Sequence, residues 1–111
     1  MEIDKEMIKG YIEIIILNQL YQDDLYGYEI SKRIRNMSKN TFEIKEGTLY
    51  VVLKRLEKNN LITPYWNDTE SGGGGRRRYY KITIEGKEYL DKKKEEWNFF
   101  KAIIDTLLKE V

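Results

Sequence analysis

Apolar side chains recur at helical spacing in three segments of the first half of the chain. Met7–Tyr21 is apolar on almost every side, whereas a helix on a protein surface needs only one apolar stripe. This pattern predicts a helix that buries two faces, one of them against something other than its own core. Tyr28–Met37 is predicted as the second helix and Lys45–Asn59 as the third. The third helix carries a core stripe at positions i, i+3, i+4 and i+7, formed by Leu49, Val52, Leu53 and Leu56.

Extended segments are predicted where β-branched and aromatic residues alternate. Thr41–Ile44 is a short one before the third helix, and Leu61–Trp66 and Arg77–Thr83 follow that helix as two full strands. Tyr79 and Tyr80 should point to opposite faces of the second strand, one into the core and one outward. The order of elements predicts a fold that is mainly α with a small β-hairpin.

The last helix is predicted over Ile84–Glu110, with Thr83 at its N-cap position. Its apolar residues repeat with the heptad spacing of a coiled coil, and such a seam is too apolar to face water. We therefore expect a partner helix and a dimer. The predicted dimer interface consists of Leu90, Trp97, Phe100, Ile104 and Leu107.

The stretch SGGGGRRRYY, at 71–80, suits three different structures. It would fit a phosphate-binding loop of an enzyme, a linker between domains, or a hairpin tip that contacts nucleic acid. It joins two predicted strands, whereas a phosphate-binding loop joins a strand to a helix. We interpret residues 67–77 as the wing of a winged helix–turn–helix and expect Arg76, Arg77 and Arg78 to contact DNA. Solubilising charge on a hairpin is the alternative.

The outer face of the third helix lies opposite its core stripe when successive residues are placed about 100° apart. This face is mostly basic and small. Lys54 and Lys58 lie on this face and Thr48 and Tyr50 on its flanks, and all four could contact DNA, Tyr50 and Lys54 at phosphates, Thr48 near base edges and Lys58 farther along. A solvated helix face is the alternative interpretation of the same four residues.

Charge is unevenly distributed although the net charge is only +1. Residues 1–26 carry −4, residues 27–81 carry +6, and residues 82–111 carry −1. A basic block between mildly acidic ends indicates a polyanionic partner. Ordinary scatter of surface charge is the alternative.

Composition narrows the classes of function further. The 111 residues suit one domain, and they include neither cysteine nor histidine. A disulfide scaffold and the commonest general base and zinc ligand are therefore excluded, and we expect no enzyme, no metal and no cofactor. The longest apolar run is too short to span a bilayer and no signal peptide is evident, so a soluble, cytoplasmic protein is expected.

Four segments together resemble the PadR family of transcriptional regulators: YGYEI (26–30), GTLYVVLKRLEKNNLI (47–62), GGRRRYYKIT (74–83) and EEW (95–97). The single C-terminal helix is similar to that of the small subfamily, which includes multidrug-responsive repressors. Two positions depart from the family pattern, since members usually carry proline at Val51 and glycine at Asn60. Asn60 can still adopt a left-handed helix end, whereas Val51 predicts a different base preference.

The resemblance implies a homodimer in which residues 1–83 form the DNA-binding domain and residues 84–111 a dimerisation helix. That helix would pack against helix 7–21 of the partner. It also implies a cavity at the dimer centre, where Trp97 of each subunit would bind a small aromatic or cationic ligand. Met7, Tyr11, Ile14 and Asn18 would surround it, and Lys101, one turn after Trp97, could serve an anionic ligand. Plain interface core for Trp97, and an ordinary surface lysine at position 101, remain alternatives.

These predictions favour a dimeric, sequence-specific DNA-binding repressor on an inverted-repeat operator, whose DNA affinity changes when a planar ligand binds. A constitutive autoregulator without a ligand is the second hypothesis. The third is a winged-helix adaptor that binds protein rather than DNA.

Overall fold

The structure, a computed structural model, describes residues 1–68 and 75–110. A 3₁₀ turn at Lys9–Tyr11 follows the first helix, and the remaining elements form five helices and one sheet in the described ranges. Their bounds are α1 Lys5–Ile8, α2 Ile12–Gln22, β1 Leu25–Tyr26, α3 Gly27–Met37, α4 Glu46–Lys58, β2 Ile62–Asp68, β3 Arg76–Ile82 and α5 Ile84–Leu107. The prediction of a mainly helical chain with a small β-hairpin is confirmed.

One hydrophobic core lies between the helices and the inner face of the sheet. α2 supplies its centre, because Ile16, Leu17 and Leu20 are almost completely buried. The predicted stripe of α4 is buried as well, and the sheet adds Ile62, Tyr80 and Ile82. This core fixes the direction of α4 and leaves the opposite side of that helix exposed.

The first predicted helix is not continuous. Where the pattern predicted one helix from Met7 to Tyr21, the chain forms α1, then the 3₁₀ turn, and only then α2. The Asp4 carboxylate caps α1 by accepting a hydrogen bond from the Glu6 N–H at 2.8 Å. The turn contains Gly10, whose conformational freedom weakens a helix interior.

The small third strand lies elsewhere than predicted. Residues 41–44 form no strand, because their backbone groups are held locally by the end of α3: the Phe42 N–H donates to the Ser38 hydroxyl at 3.1 Å. Leu25–Tyr26 forms β1 instead and pairs antiparallel with β3, placing Leu25 opposite Tyr80. Two residues carry too little periodicity for a sequence pattern to indicate a strand.

The sheet has the order β1-β3-β2, and both pairings are antiparallel. Alternation along β3 buries Tyr80 and leaves Tyr79 half-buried on the other face, as predicted. The two long strands begin and end within two residues of the predicted bounds. The centre of the predicted wing loop, residues 69–74, and residue 111 lie outside the described residues.

α5 begins at the predicted cap and then leaves the core. The Thr83 hydroxyl accepts a hydrogen bond from the Gly86 N–H at 2.9 Å, and Asn60 has the left-handed φ of 61° expected of it. The buried residues of α5 are Gly86 and Leu90, both in its first turns. The radius of gyration is 16.0 Å, above the roughly 13 Å of a compact domain of this length, because the rest of α5 protrudes.

Candidate nucleic-acid interface

The outer face of α4 is exposed over its whole length. Val51, Lys54 and Lys58 are exposed on the side opposite the buried stripe, and Thr48 and Tyr50 are exposed on its flanks. Tyr50 is 46% exposed, so part of its ring packs against the protein while its remainder is accessible. The four residues predicted to contact DNA therefore share one accessible surface with Val51.

Two cations on this face are available for a polyanion. Within the described ranges, neither Lys54 nor Lys58 forms an ion pair. Arg55, on the same helix, differs because its guanidinium lies 3.3 Å from the Glu13 carboxylate of α2. The α4 lysines can thus bind phosphate without first breaking an internal ion pair.

The three arginines of β3 point to both faces of the sheet. The guanidinium carbons of Arg76 and Arg78 lie 5.4 and 5.9 Å from the centre of the Trp66 ring. Arg77 points the other way and lies 4.7 Å from the centre of the Tyr26 ring. Each distance permits a cation–π contact. The arginines therefore do not present one common surface, as strand alternation requires.

A groove of about 520 Å³ separates α4 from β3. Its walls are cationic and aromatic with one acid among them: Tyr50, Lys54, Glu57, Lys58, Arg78 and Tyr80. Burial raises the pKa of the Tyr80 hydroxyl above its usual value, which the positive charge of Arg78 partly offsets. The Tyr80 hydroxyl therefore keeps its proton to a higher pH than an ordinary tyrosine does.

Sequence reasoning missed two members of this interface. Glu57 lies between Lys54 and Lys58 and binds Arg78 at 3.0 Å. Trp66 lies directly opposite Arg78 in the strand register. The sequence shows that Trp66 precedes the predicted loop. Which residue of β3 lies opposite Trp66 depends on the register of the two strands, and the glycine-rich loop leaves that register undetermined in the sequence.

The region around Trp97 forms a second candidate site. The Trp97 ring meets the Tyr11 ring edge to face, with centroids 4.9 Å apart and planes at 69°. Both rings line a mostly apolar cavity of about 510 Å³, together with Ile14 and Asn18. The structure thus brings four of the six predicted ligand residues to one cavity.

The other two predicted ligand residues lie apart from that cavity. Met7 is largely exposed on α1 and is absent from the cavity lining. Lys101 is also absent from the lining, although its ammonium lies 5.9 Å from the centre of the Trp97 ring.

The predicted seam of α5 divides at Leu90. Leu90 is 0% exposed and belongs to the core of its own subunit, so it has no surface to offer a partner. From Trp97 onward the seam is open, with Trp97 38% and Leu107 72% exposed. Phe100 and Ile104 lie between them and are exposed too.

Comparison with known proteins assigns this arrangement to a family. Residues 16–92 match the Transcriptional regulator PadR-like family, a range that runs from α2 through the sheet into α5. The chain belongs to the PadR-like family of transcriptional regulators. The family assignment agrees with the resemblance found in the sequence, and it makes the chain a DNA-binding regulator of transcription rather than an enzyme.

Several relatives of this PadR-like regulator are similar over nearly its whole length. A transcriptional regulator from Clostridium thermocellum has 45% identity and a TM-score of 0.86, covering 96% of this chain and 99% of that one. A PadR family transcription regulator from Clostridium difficile has 46% identity and a TM-score of 0.78, covering 90% of this chain and 100% of that one. An uncharacterized protein of Lysinibacillus sphaericus is 46% identical over 93% of each chain.

The transcriptional regulator YqjI of Escherichia coli is a more distant relative. It is 30% identical over 87 residues, which make up 78% of this chain and 39% of YqjI.

Within the part of the PadR-like regulator that the structure describes, no helix is long and apolar enough to cross a membrane.

Proposed function

We propose that this PadR-like regulator acts as a dimeric repressor that binds an inverted-repeat operator. In this proposal each subunit inserts α4 into a major groove and lays its wing along the adjacent backbone. Thr48, near the start of α4, approaches base edges, while Tyr50 and Lys54 contact phosphates. The observation that carries the proposal is the exposed face of α4, where Lys54 and Lys58 form no ion pair among the described residues.

Dimerisation is supported by the apolar surface that one subunit leaves uncovered. The exposed part of α5 presents Trp97, Phe100, Ile104 and Leu107 on one side. The mostly apolar cavity beside Trp97 is also open. Monomeric proteins rarely expose so much contiguous apolar surface, and a second copy would cover it. Two-fold symmetry of the dimer would then match the symmetry of the operator.

Ligand control is supported by the position of the Trp97 cavity. A planar molecule inserted beside Trp97 and Tyr11 would press on α2, which packs against α3, α4 and α5. Glu13, two residues after Tyr11, pairs with Arg55 of α4 at 3.3 Å. A ligand that fits one spacing of the subunits better would therefore shift the population toward one spacing of the recognition helices.

A constitutive repressor without a ligand is the second candidate. It is favoured by the edge-to-face packing of Trp97 on Tyr11, because the Trp97 ring already has an aromatic partner in its own subunit and needs no ligand to pack against. Both candidates share the same DNA-binding surface, and they differ only in what occupies the space beside Trp97.

The experiment that tests DNA binding compares Lys54→Ala and Thr48→Ala with the wild type on a selected operator and on unrelated DNA. Lys54→Ala should weaken binding to both DNAs and reduce the salt slope by about 0.9 unit for each phosphate that the lysine neutralises. Thr48→Ala should change the preferred sequence and leave the salt slope unchanged. Lys92→Ala, an exposed lysine of α5, is the matched control and should alter neither quantity. Wild-type behaviour of both α4 variants would contradict the proposed recognition surface.

A further inference from the structure

We infer that Arg78 is a positioning residue, which holds the wing against the recognition helix through Glu57, and that it is not one of the phosphate contacts. The inference rests on the proposed DNA-binding mode of α4 and the wing. It distinguishes Arg78 from the neighbouring Arg77 and gives Glu57, an acidic residue near the end of α4, a role.

The contact between Arg78 and Glu57 joins two elements that are distant in sequence. One guanidinium nitrogen of Arg78 donates to both carboxylate oxygens of Glu57, at 3.0 and 3.2 Å. Glu57 belongs to the last turn of α4 and Arg78 to the middle of β3. The two side chains are 33% and 43% exposed, so each is partly packed against the protein. The pair therefore bridges the groove between the helix and the wing.

Aromatic rings also restrict the Arg78 side chain. Its guanidinium carbon lies 5.9 Å from the centres of both the Trp66 and the Tyr80 rings. Trp66 is its cross-strand partner on β2, so the cluster ties α4 to both strands of the hairpin. The Glu57 carboxylate occupies one of the guanidinium nitrogens of Arg78 and compensates its charge, so Arg78 has fewer donors and less net charge to offer a phosphate.

Arg77 provides the contrast within the same strand. It points to the opposite face of the sheet and lies over Tyr26, 4.7 Å from the ring centre. No carboxylate in the described part of the chain forms an ion pair with it. Because its charge is not neutralised, Arg77 can still bind a phosphate, whereas the charge of Arg78 is already compensated.

Because of where Glu57 lies, the inference and simple electrostatics predict opposite effects of Glu57→Gln on operator affinity. A carboxylate beside DNA repels phosphates, so simple electrostatics predicts that Glu57→Gln strengthens binding. If Glu57 instead holds the wing in place, Glu57→Gln should weaken binding to the operator even though it removes a negative charge. Arg78→Gln should weaken it by a similar factor, about three- to fivefold, as expected of a partly exposed ion pair.

The test measures operator affinity over a salt series for Glu57→Gln, Arg78→Gln and the double variant. We expect the double variant to bind no more weakly than either single one, because both remove the same interaction. Arg78→Gln should leave the salt slope unchanged, and Arg77→Gln should reduce it by about 0.9 unit for each phosphate that the arginine neutralises. Stronger binding by Glu57→Gln, or a lower salt slope for Arg78→Gln, would overturn the inference.

A second measurement needs no DNA and therefore separates this inference from the proposed function. In a Trp97→Phe background Trp66 is the one remaining tryptophan of the chain, and its fluorescence reports the environment that it shares with Arg78. Glu57→Gln and Arg78→Gln should change its emission in the same direction. Glu46→Gln, which removes another acid of α4, should leave the emission unchanged. Unchanged emission in the first two variants would refute the bridge, even if the protein binds its operator as proposed.

Discussion

The hydroxyl of Tyr50 lies 2.6 Å from the point that a Cβ atom on Gly27 would occupy. Gly27 is the buried first residue of α3, and Tyr50 is on the exposed face of α4. Tyr50 of α4 therefore packs against the first residue of α3, and only a glycine at position 27 leaves enough space for the Tyr50 hydroxyl. This contact restricts the direction of the Tyr50 side chain, which we propose contacts a DNA phosphate.

Replacing Gly27 by alanine should move Tyr50 and weaken operator binding. The added Cβ would meet only the hydroxyl end of the half-exposed Tyr50 side chain, so the Tyr50 ring can rotate outward at little cost in the free energy of unfolding. We expect a melting temperature close to that of the wild type but an operator affinity reduced by as much as Tyr50→Ala reduces it. In the Tyr50→Ala background, Gly27→Ala should have no further effect on affinity, because the coupled partner is already missing. An equal decrease in affinity in both backgrounds would mean that Gly27 acts through something other than Tyr50.

Replacing Gly86 by alanine should destabilise the fold itself. An added Cβ would meet the backbone carbonyl oxygen of Leu61 and the side chain of Ile82, and the backbone cannot move aside as a side-chain tip can. We expect a decrease of about 1–3 kcal/mol in the free energy of unfolding, as for other overpacked sites. Gly10→Ala is the control, since its Cβ would have no neighbour within 4 Å and should change stability by no more than about 1 kcal/mol. Equal unfolding midpoints in urea for the two variants would contradict the close approach of α5 to Leu61.

Tyr65→Phe should reveal, through its pH dependence, a contact between β2 and the short segment that joins α2 to β1. The Tyr65 hydroxyl donates to the Asp24 carboxylate at 2.7 Å, and this hydrogen bond, followed by burial, raises the pKa of Tyr65 from 10.0 to about 12. The folded state then keeps the proton more firmly than the unfolded chain. The stabilisation is therefore complete below pH 10 and decreases as the pH rises toward about 12.

The stability difference between wild type and Tyr65→Phe should accordingly stay constant at neutral pH and shrink under alkaline conditions. Denaturant unfolding at a series of pH values measures it. Tyr28→Phe, which removes an exposed hydroxyl, is the matched control and should show no such trend. A difference that does not vary with pH would indicate that the Tyr65 hydrogen bond contributes nothing in solution.

The last three helices and the two long strands were predictable because each repeats its pattern over at least five residues. The stripe from Leu49 to Leu56 and the cap at Thr83 specify α4 and the start of α5 by local chemistry alone. β1 was not predictable, since its two residues become a strand only by pairing with Tyr79 and Tyr80. The break in the first helix depended on Gly10, whose effect a strongly apolar pattern conceals.

The candidate site was predictable on the helix and less so on the wing. Helical geometry places Lys54 and Lys58 on the outer face of α4 and Thr48 and Tyr50 on its flanks once the core stripe is known, and the resemblance to the PadR family then favours these four as DNA contacts. The different roles of Arg77 and Arg78 need the register of β2 against β3 and the distance to Glu57, neither of which a sequence supplies. Leu90 shows a different limit of the sequence pattern. Its heptad position indicates that it is buried, but the pattern does not indicate whether it packs against its own subunit, as it does, or against a partner.

The tryptophans allow the two proposals about Trp97 to be separated. Trp66 is exposed on the wing and would also respond to DNA or dye, so the titrations use a Trp66→Phe background. If a ligand site exists, a planar cationic dye should quench the fluorescence of Trp97 in that background. The proposed dimer is tested separately, by light scattering, which should report about twice the subunit mass of 13.4 kDa. A monomer would contradict the proposed dimer.

Trp97→Ala then decides whether the ring serves a ligand or only the interface. A ligand role predicts that dye binding is abolished while operator affinity stays within about tenfold, or ~1.4 kcal/mol, because Phe100, Ile104 and Leu107 still cover the seam. A purely structural role predicts a decrease of ~3–5 kcal/mol in stability, as for other large-to-small core substitutions, with no dye site to remove. Phe100→Ala is the matched control: it removes a neighbouring ring of the seam that does not line the larger cavity beside Trp97. Because Trp97→Ala in that background contains no tryptophan, the absorbance of the dye itself is used to follow binding to this variant. If the dye binds it as tightly as the wild type, the ligand does not use the Trp97 cavity and the constitutive repressor is the better account.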